Sequence, residues 1–277
     1  MTEVPKHMTE RWQLDPDPTL RPAARTPEVR FESRGVPLLG VLHVPAGPGP
    51  HPVAVLLHGF PGNERNFDLA QALRRAGYAA LVFHYRGSWG VGGEYTWGNV
   101  LADAARAVAA ARELAAEHAL DPARIALVGH SLGGFAALMT AAQDPSVRAV
   151  AALAAYDFGA VSQAPDVVLR EAHAMFGSDL LPLRGTSADA LFAEMRSAGA
   201  AWRLAGLAPR LAGRPVLLVA AGNDTVADPA LHHEPVVEAY RALERFEHAT
   251  LPSDHAFSDH RIALTRAVVN FLDQHLR

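Results

Sequence analysis

The chain contains no cysteine, which removes disulfides, thiolate metal centres and a thiol nucleophile from consideration while leaving its redox compartment open. Charge is scarce and nearly balanced, with 19% charged residues and a formal net charge of −4. Such a chain carries no basic footprint for nucleic acid and no polybasic segment for an anionic membrane surface. No apolar run approaches the roughly 18 residues needed to span a bilayer, so no membrane association is expected. Residues 1–27 are polar and proline-rich and lack the apolar core and small-residue cleavage site of a secretory leader, so a cytoplasmic location is the expectation.

What is present is a chain of 277 residues, 49% hydrophobic, long enough to bury a full α/β core. Residues 1–27 read as an arm that packs through Trp12 and Leu14, and residues 28–277 as the folded domain. Glu28 to Ser33 and Val36 to Val44 flank Arg34-Gly35 as an antiparallel hairpin. Beyond them, strands alternate with helical patterns: strands at 53–57, a continuous apolar run, and at 79–83, 124–128, 147–153, 214–219 and 246–251, and helices at 66–76, 100–118, 132–142 and 231–243, with one more closing the chain. Asp121-Pro122 reads as the stop of the second helix. Runs without polar alternation belong to a parallel sheet covered on both faces, and the alternation calls for a doubly wound, mostly parallel sheet. The pattern breaks at about 157–200 into short helical pieces, read as a small helical lid inserted over the strand ends, with two plain packing helices as the alternative.

The stretch most informative about chemistry is Ile125-Ala-Leu-Val-Gly129-His130-Ser131-Leu132-Gly133-Gly134. An apolar strand entering a helix through Gly-x-Ser-x-Gly forms a turn so tight that the Ser takes a strained backbone, lifting its hydroxyl clear of the sheet edge. The N–H of Leu132 then faces the same space at a helix N-terminus. A Ser hydroxyl needs a base within hydrogen-bond reach, and the base needs a carboxylate to fix its tautomer. Asp224, in Gly222-Asn223-Asp224 after the strand at 214–219, and His255, after the strand at 246–251, supply them. Asp157 and Asp228 compete for the acid role; Asp224 is favoured because it comes first after its strand while Asp228 precedes a helix it can cap. His260 falls on the last helix, and His232-His233 matches no zinc-ligand spacing and reads as the start of a solvated helix. His58-Gly59-Phe60-Pro61-Gly62 ends another strand, making the Phe60 N–H the candidate second oxyanion donor. Trp89 and Phe176 are candidate substrate contacts, with Tyr95 and Trp97 nearby in sequence. No metal and no cofactor is called for.

These motifs, together with Tyr85-Arg86-Gly87-Ser88-x-Gly90 and Asp254-His255-Ala256-Phe257, resemble the catalytic domain of the prolyl oligopeptidase family and its dienelactone hydrolase and acyl esterase relatives in the α/β-hydrolase superfamily. The resemblance covers residues 28–277 and implies Ser131 as nucleophile, Asp224 as acid, His255 as base, and Phe60 and Leu132 as oxyanion donors. The chain departs from it in having no room for a β-propeller, an acid loop one residue shorter than Gly-x-x-Asp, and His84 where relatives often carry Asp or Asn. The implied activity is a serine carboxylesterase acting on a small-molecule ester of a short or aromatic acid. A peptidase or amidase on the same machinery, using Asp166, Glu171 or Asp179 to hold an amine, is the alternative, followed by a non-catalytic scaffold. Edge strands leave a homodimer open, although no stretch marks its interface.

Overall fold

The computed structural model describes residues 10–277. Eight strands form one sheet in the order β1-β2-β4-β3-β5-β6-β7-β8. They are β1 (Glu28–Ser33), β2 (Val36–His43), β3 (His51–Leu57), β4 (Ala79–Phe83), β5 (Leu120–His130), β6 (Ala149–Leu153), β7 (Val216–Ala221) and β8 (Phe246–Leu251). β1 and β2 pair antiparallel, β2 joins β4 antiparallel, and every pair from β4 to β8 is parallel. The helices are α1 (Phe67–Ala76), α2 (Trp97–Glu113), α3 (Ala115–His118), α4 (Leu132–Gln143), α5 (Phe158–Ser162), α6 (Asp166–Ser178), α7 (Ala188–Ala198), α8 (Pro229–His232), α9 (Glu234–Tyr240) and α10 (Arg261–His275).

The period of two along β3 divides the core. Val53, Val55 and Leu57 belong to the apolar cluster that includes α2, α4 and the α5–α7 region, whereas Ala54 and Leu56 join α1 and α10 on the other face. β3, β4, β6 and β7 are buried along their whole length, as unalternating apolar runs require. Among the described residues no helix is long and apolar enough to cross a membrane.

Several local expectations are corrected. Asp121-Pro122 does not end a helix: the chain leaves α3 at His118 and both residues open β5, whose Leu120 pairs with His51. The helix read as 100–118 breaks at Leu114 into α2 and α3, and that read as 231–243 breaks at His233, where Pro235 lies in the first turn of α9. In the arm, Trp12 is buried and its carbonyl accepts from Arg75 Nε at 2.6 Å, but Leu14 faces solvent. Residues 1–9 of that arm lie outside the described residues.

Candidate active site

β5 runs into α4 through Ser131 alone, whose backbone sits at φ 56°, ψ −119°. For a side-chain-bearing residue this conformation costs about 1–3 kcal/mol and persists only where its surroundings impose it. Here they do. The Ser131 N–H donates to Leu153 O at 2.8 Å, and its carbonyl accepts from Phe135 N at 3.1 Å and Tyr156 N at 3.2 Å. The flanking glycines follow from contact: a Cβ on Gly129 would lie 1.9 Å from Gly133 O, and one on Gly133 would lie 1.9 Å from Leu57 O.

Asp224 and His255 emerge from the ends of β7 and β8 and meet, His255 Nδ1 lying 2.6 Å from Asp224 Oδ2. The other carboxylate oxygen accepts from the N–H groups of Val226 and Ala227, both at 2.8 Å. Burial pushes the Asp224 carboxyl up, but the His255 hydrogen bond and charge and those two N–H donors outweigh it and hold it below the usual carboxylate range. An ionised Asp224 accepts a hydrogen bond from His255 Nδ1, which leaves Nε2 as the ring nitrogen turned away from the carboxylate. The Asp224 side chain is fully buried and that of His255 is 20% exposed, so the carboxylate is dry and the imidazole reaches outward.

Ser131 lines a narrow cavity with Phe60, Trp97, Leu132, Tyr156, Phe158, Met175, Phe176 and Val226. The elbow was expected to stand clear of the sheet edge, but Ser131 is only 6% exposed. Aromatic side chains close over it, and the remaining space, about 20 Å³, is of the order of a single water molecule. A Cβ on Gly59 would lie 3.1 Å from Ser131 Cβ, so the loop carrying Phe60 runs directly beside Ser131. Among the described residues neither the Phe60 nor the Leu132 N–H donates to a protein acceptor, and Leu132 opens α4, where the helix dipole favours negative charge.

The two expected substrate contacts part company. Phe176, on α6, packs 5.2 Å from Trp97 and 6.2 Å from Phe60 between ring centroids and forms part of the cavity wall. Trp89 does not line the cavity; its Nε1–H donates to Pro61 O at 2.8 Å, and the Arg65 guanidinium lies 4.2 Å above its ring. Tyr95 is fully buried behind Phe60. Sequence reasoning missed Tyr156, Phe158 and Val226. Their signal was position: Tyr156 and Phe158 follow the carboxyl end of β6 and Val226 follows that of β7, where open α/β sheets place ligands.

The rival acids have other tasks. Asp157 caps α5 through Ala160 N at 2.9 Å and accepts from Leu204 N at 3.1 Å, while Asp228 caps α8 through Ala230 N. His232 is not solvated, contrary to expectation: it is buried, and its Nδ1 accepts from Asp157 N at 2.9 Å. His260 caps α10. The described residues contain no group of three or more His, Asp or Glu side chains able to hold a metal ion.

His130, inside the elbow motif, has its Nε2 2.7 Å from the carbonyl oxygen of His255, with the two rings 4.9 Å apart. Only a donor can meet a carbonyl, so His130 carries its proton on Nε2. Burial, followed by the charge of His255, pushes the His130 pKa down to about 3, and the ring remains a neutral brace against the loop that carries His255.

A family model described as "Alpha/beta hydrolase family" matches residues 54–268. The esterase Pf2001 of Pyrococcus furiosus superposes with a TM-score of 0.69 at 16% identity, covering 92% of this chain and 94% of that one. Est1E from Butyrivibrio proteoclasticus superposes with a TM-score of 0.64 at 22% identity, covering 89% and 98%. At those identities the likeness is one of fold. In sequence, the chain is 29% identical over 134 residues to 2,6-dihydropseudooxynicotine hydrolase of Paenarthrobacter nicotinovorans, covering 48% of this chain and 35% of that protein. It is 35% identical over 129 residues to the quorum-quenching protein AidA of Acinetobacter baumannii, covering 44% and 41%. The matches thus span less than half the length of these curated relatives. With the elbow, the sheet order and a family match over most of its length, this chain belongs to the alpha/beta hydrolase family.

Proposed function

We propose that this hydrolase is a serine carboxylesterase that works through an acyl-enzyme and prefers short acyl groups. The observation that carries the reading is the 2.6 Å His255–Asp224 contact at the same rim as a strained Ser131, with Phe60 and Leu132, whose N–H groups meet no protein acceptor among the described residues, lining the cavity. His255 Nε2 takes the Ser131 proton as Oγ bonds to the ester carbonyl carbon. The carbonyl oxygen becomes an oxyanion held by the Phe60 and Leu132 N–H groups, each such donor contributing about 2.7–4 kcal/mol of transition-state stabilisation. Collapse breaks the C–O bond to the alcohol, and His255 hands that oxygen its proton. Water, activated by the same imidazole, then releases the carboxylic acid and restores the Ser131 hydroxyl.

The preference for short acyl groups rests on the size of the cavity, which leaves the space of about one water beside Ser131. For the peptidase alternative, a charged group near Ser131 would be needed to hold an amine terminus. Asp166, Glu171 and Asp179 are exposed, and none of them lines the cavity. Parallel assays of p-nitrophenyl acetate and aminoacyl p-nitroanilides test the reading. It expects a pre-steady-state burst with the ester and far slower turnover of the amide; faster turnover of the amide overturns it.

A further inference from the structure

On the side of the sheet opposite the catalytic rim, three arginines precede three consecutive parallel strands. Arg148 stands just before β6, Arg214 two residues before β7, and Arg245 just before β8. With His275 from the end of α10, they line one concavity of about 200 Å³, and no Asp or Glu lines it. Among the described residues none of the three guanidinium groups forms an ion pair. Two carboxylates act near the concavity without lining it: Asp144, which pairs with Arg112 and whose charge reaches Arg214, and Glu247, which pairs with His275 of the lining. Two of the arginines are nonetheless held by backbone carbonyls. Arg214, half-buried, donates from Nη1 to Ala141 O, and Arg245 donates from Nη2 to Gly213 O at 2.5 Å. Converging, unpaired and partly ordered cations repel one another until an anion neutralises them, and each fork retains donors for it.

We propose that this concavity is an anion site for a phosphate-bearing small molecule of the phosphomonoester or diphosphate class. A carboxylate is satisfied by one guanidinium fork, whereas a phosphoryl group offers three oxygens and up to two charges, matching donors that arrive from three strand starts. The site is separate from the ester chemistry, so it stands or falls independently of that reading.

The test titrates the whole protein with inorganic pyrophosphate at constant ionic strength, following heat of binding and Tm, with acetate as the carboxylate comparison. The expected result is saturable 1:1 binding and, at about a hundred times Kd, a Tm rise of about 5 °C or more. The double variant R148Q/R245Q, changed only at exposed side chains, is expected to lose at least tenfold in affinity while retaining its melting profile in plain buffer. Equal binding in that variant, equal response to acetate, or a shift that tracks ionic strength alone overturns the proposal.

Discussion

If the space beside Ser131 is where the acyl group sits, the ring of Phe176 sets its length. Phe176 is 1% exposed and stacks 6.1 Å from Phe158 while touching Trp97 and Phe60, so no other side chain can swing in to replace it without breaking that cluster. Phe176→Ala removes a ring from the wall of a cavity of only about 20 Å³. Each methylene buried in the space released is stabilised by about 0.8 kcal/mol, about fourfold in rate constant, so two methylenes give about 15-fold. The kcat/KM ratio of p-nitrophenyl butanoate to acetate is therefore expected to rise about 15-fold in the variant. The truncation also costs about 3–5 kcal/mol of stability, a fall in Tm of roughly 10 °C, so assays belong well below that midpoint. Phe176→Leu, which keeps most of the packing, should move the ratio in the same direction by less. A chain-length profile unchanged in a variant shown to be folded would refute the assignment of this cavity to the acyl group.

Other substitutions bear on separate parts of the account. Asp224→Asn keeps the shape but allows the wrong His255 tautomer, and kcat should fall by about 10⁴ with little change in KM, read from ester kinetics. His130→Ala removes the donor to the His255 carbonyl; we expect kcat to fall about 10–100-fold, with His130→Gln restoring part of it, and equal losses in both variants would count against the brace. Arg86 and Asp103 form a buried ion pair at 2.7 Å, with Ser33 on the same carboxylate oxygen at 2.6 Å. Arg86→Ala should cost about 3–5 kcal/mol in urea unfolding, since it strands the Asp103 carboxylate. Burial pushes both His58 and His130 down to about 3, so they stay neutral in the fold while the unfolded chain takes up protons near 6.5. Stability should hold above about pH 6.5 and fall on acidification towards 3 by about 1.4 kcal/mol per pH unit for each ring, visible in denaturant midpoints.

The central sheet was readable because burial on both faces writes an unbroken apolar run into the sequence, as at 79–83, which coincides with β4, whereas the edge strand β8 at 246–251 is part-exposed and mixes polar with apolar residues. The elbow was readable because its two glycines are dictated by contacts within a few residues and the neighbouring strand. Asp224 and His255 could be paired in sequence because each follows a strand and the sheet brings those ends together. What stayed hidden depends on distant packing. The closing of the cavity over Ser131 comes from Phe60, Trp97, Phe158 and Phe176, which lie on four separate segments. Trp89 lay close to a motif in sequence, yet its indole N–H was claimed by Pro61 O and its ring by Arg65. The burial of His232 followed from its bond to the Asp157 N–H, a contact no helical periodicity encodes.

The claim on which the rest depends is that Ser131 is the nucleophile driven by His255. Treating the folded protein with a fluorophosphonate and locating the adduct by peptide mass spectrometry reads this directly. The account predicts stoichiometric labelling at Ser131, none in Ser131→Ala, and labelling slowed by orders of magnitude in His255→Ala. An adduct on another residue, or equal labelling rates with and without the imidazole, would contradict it.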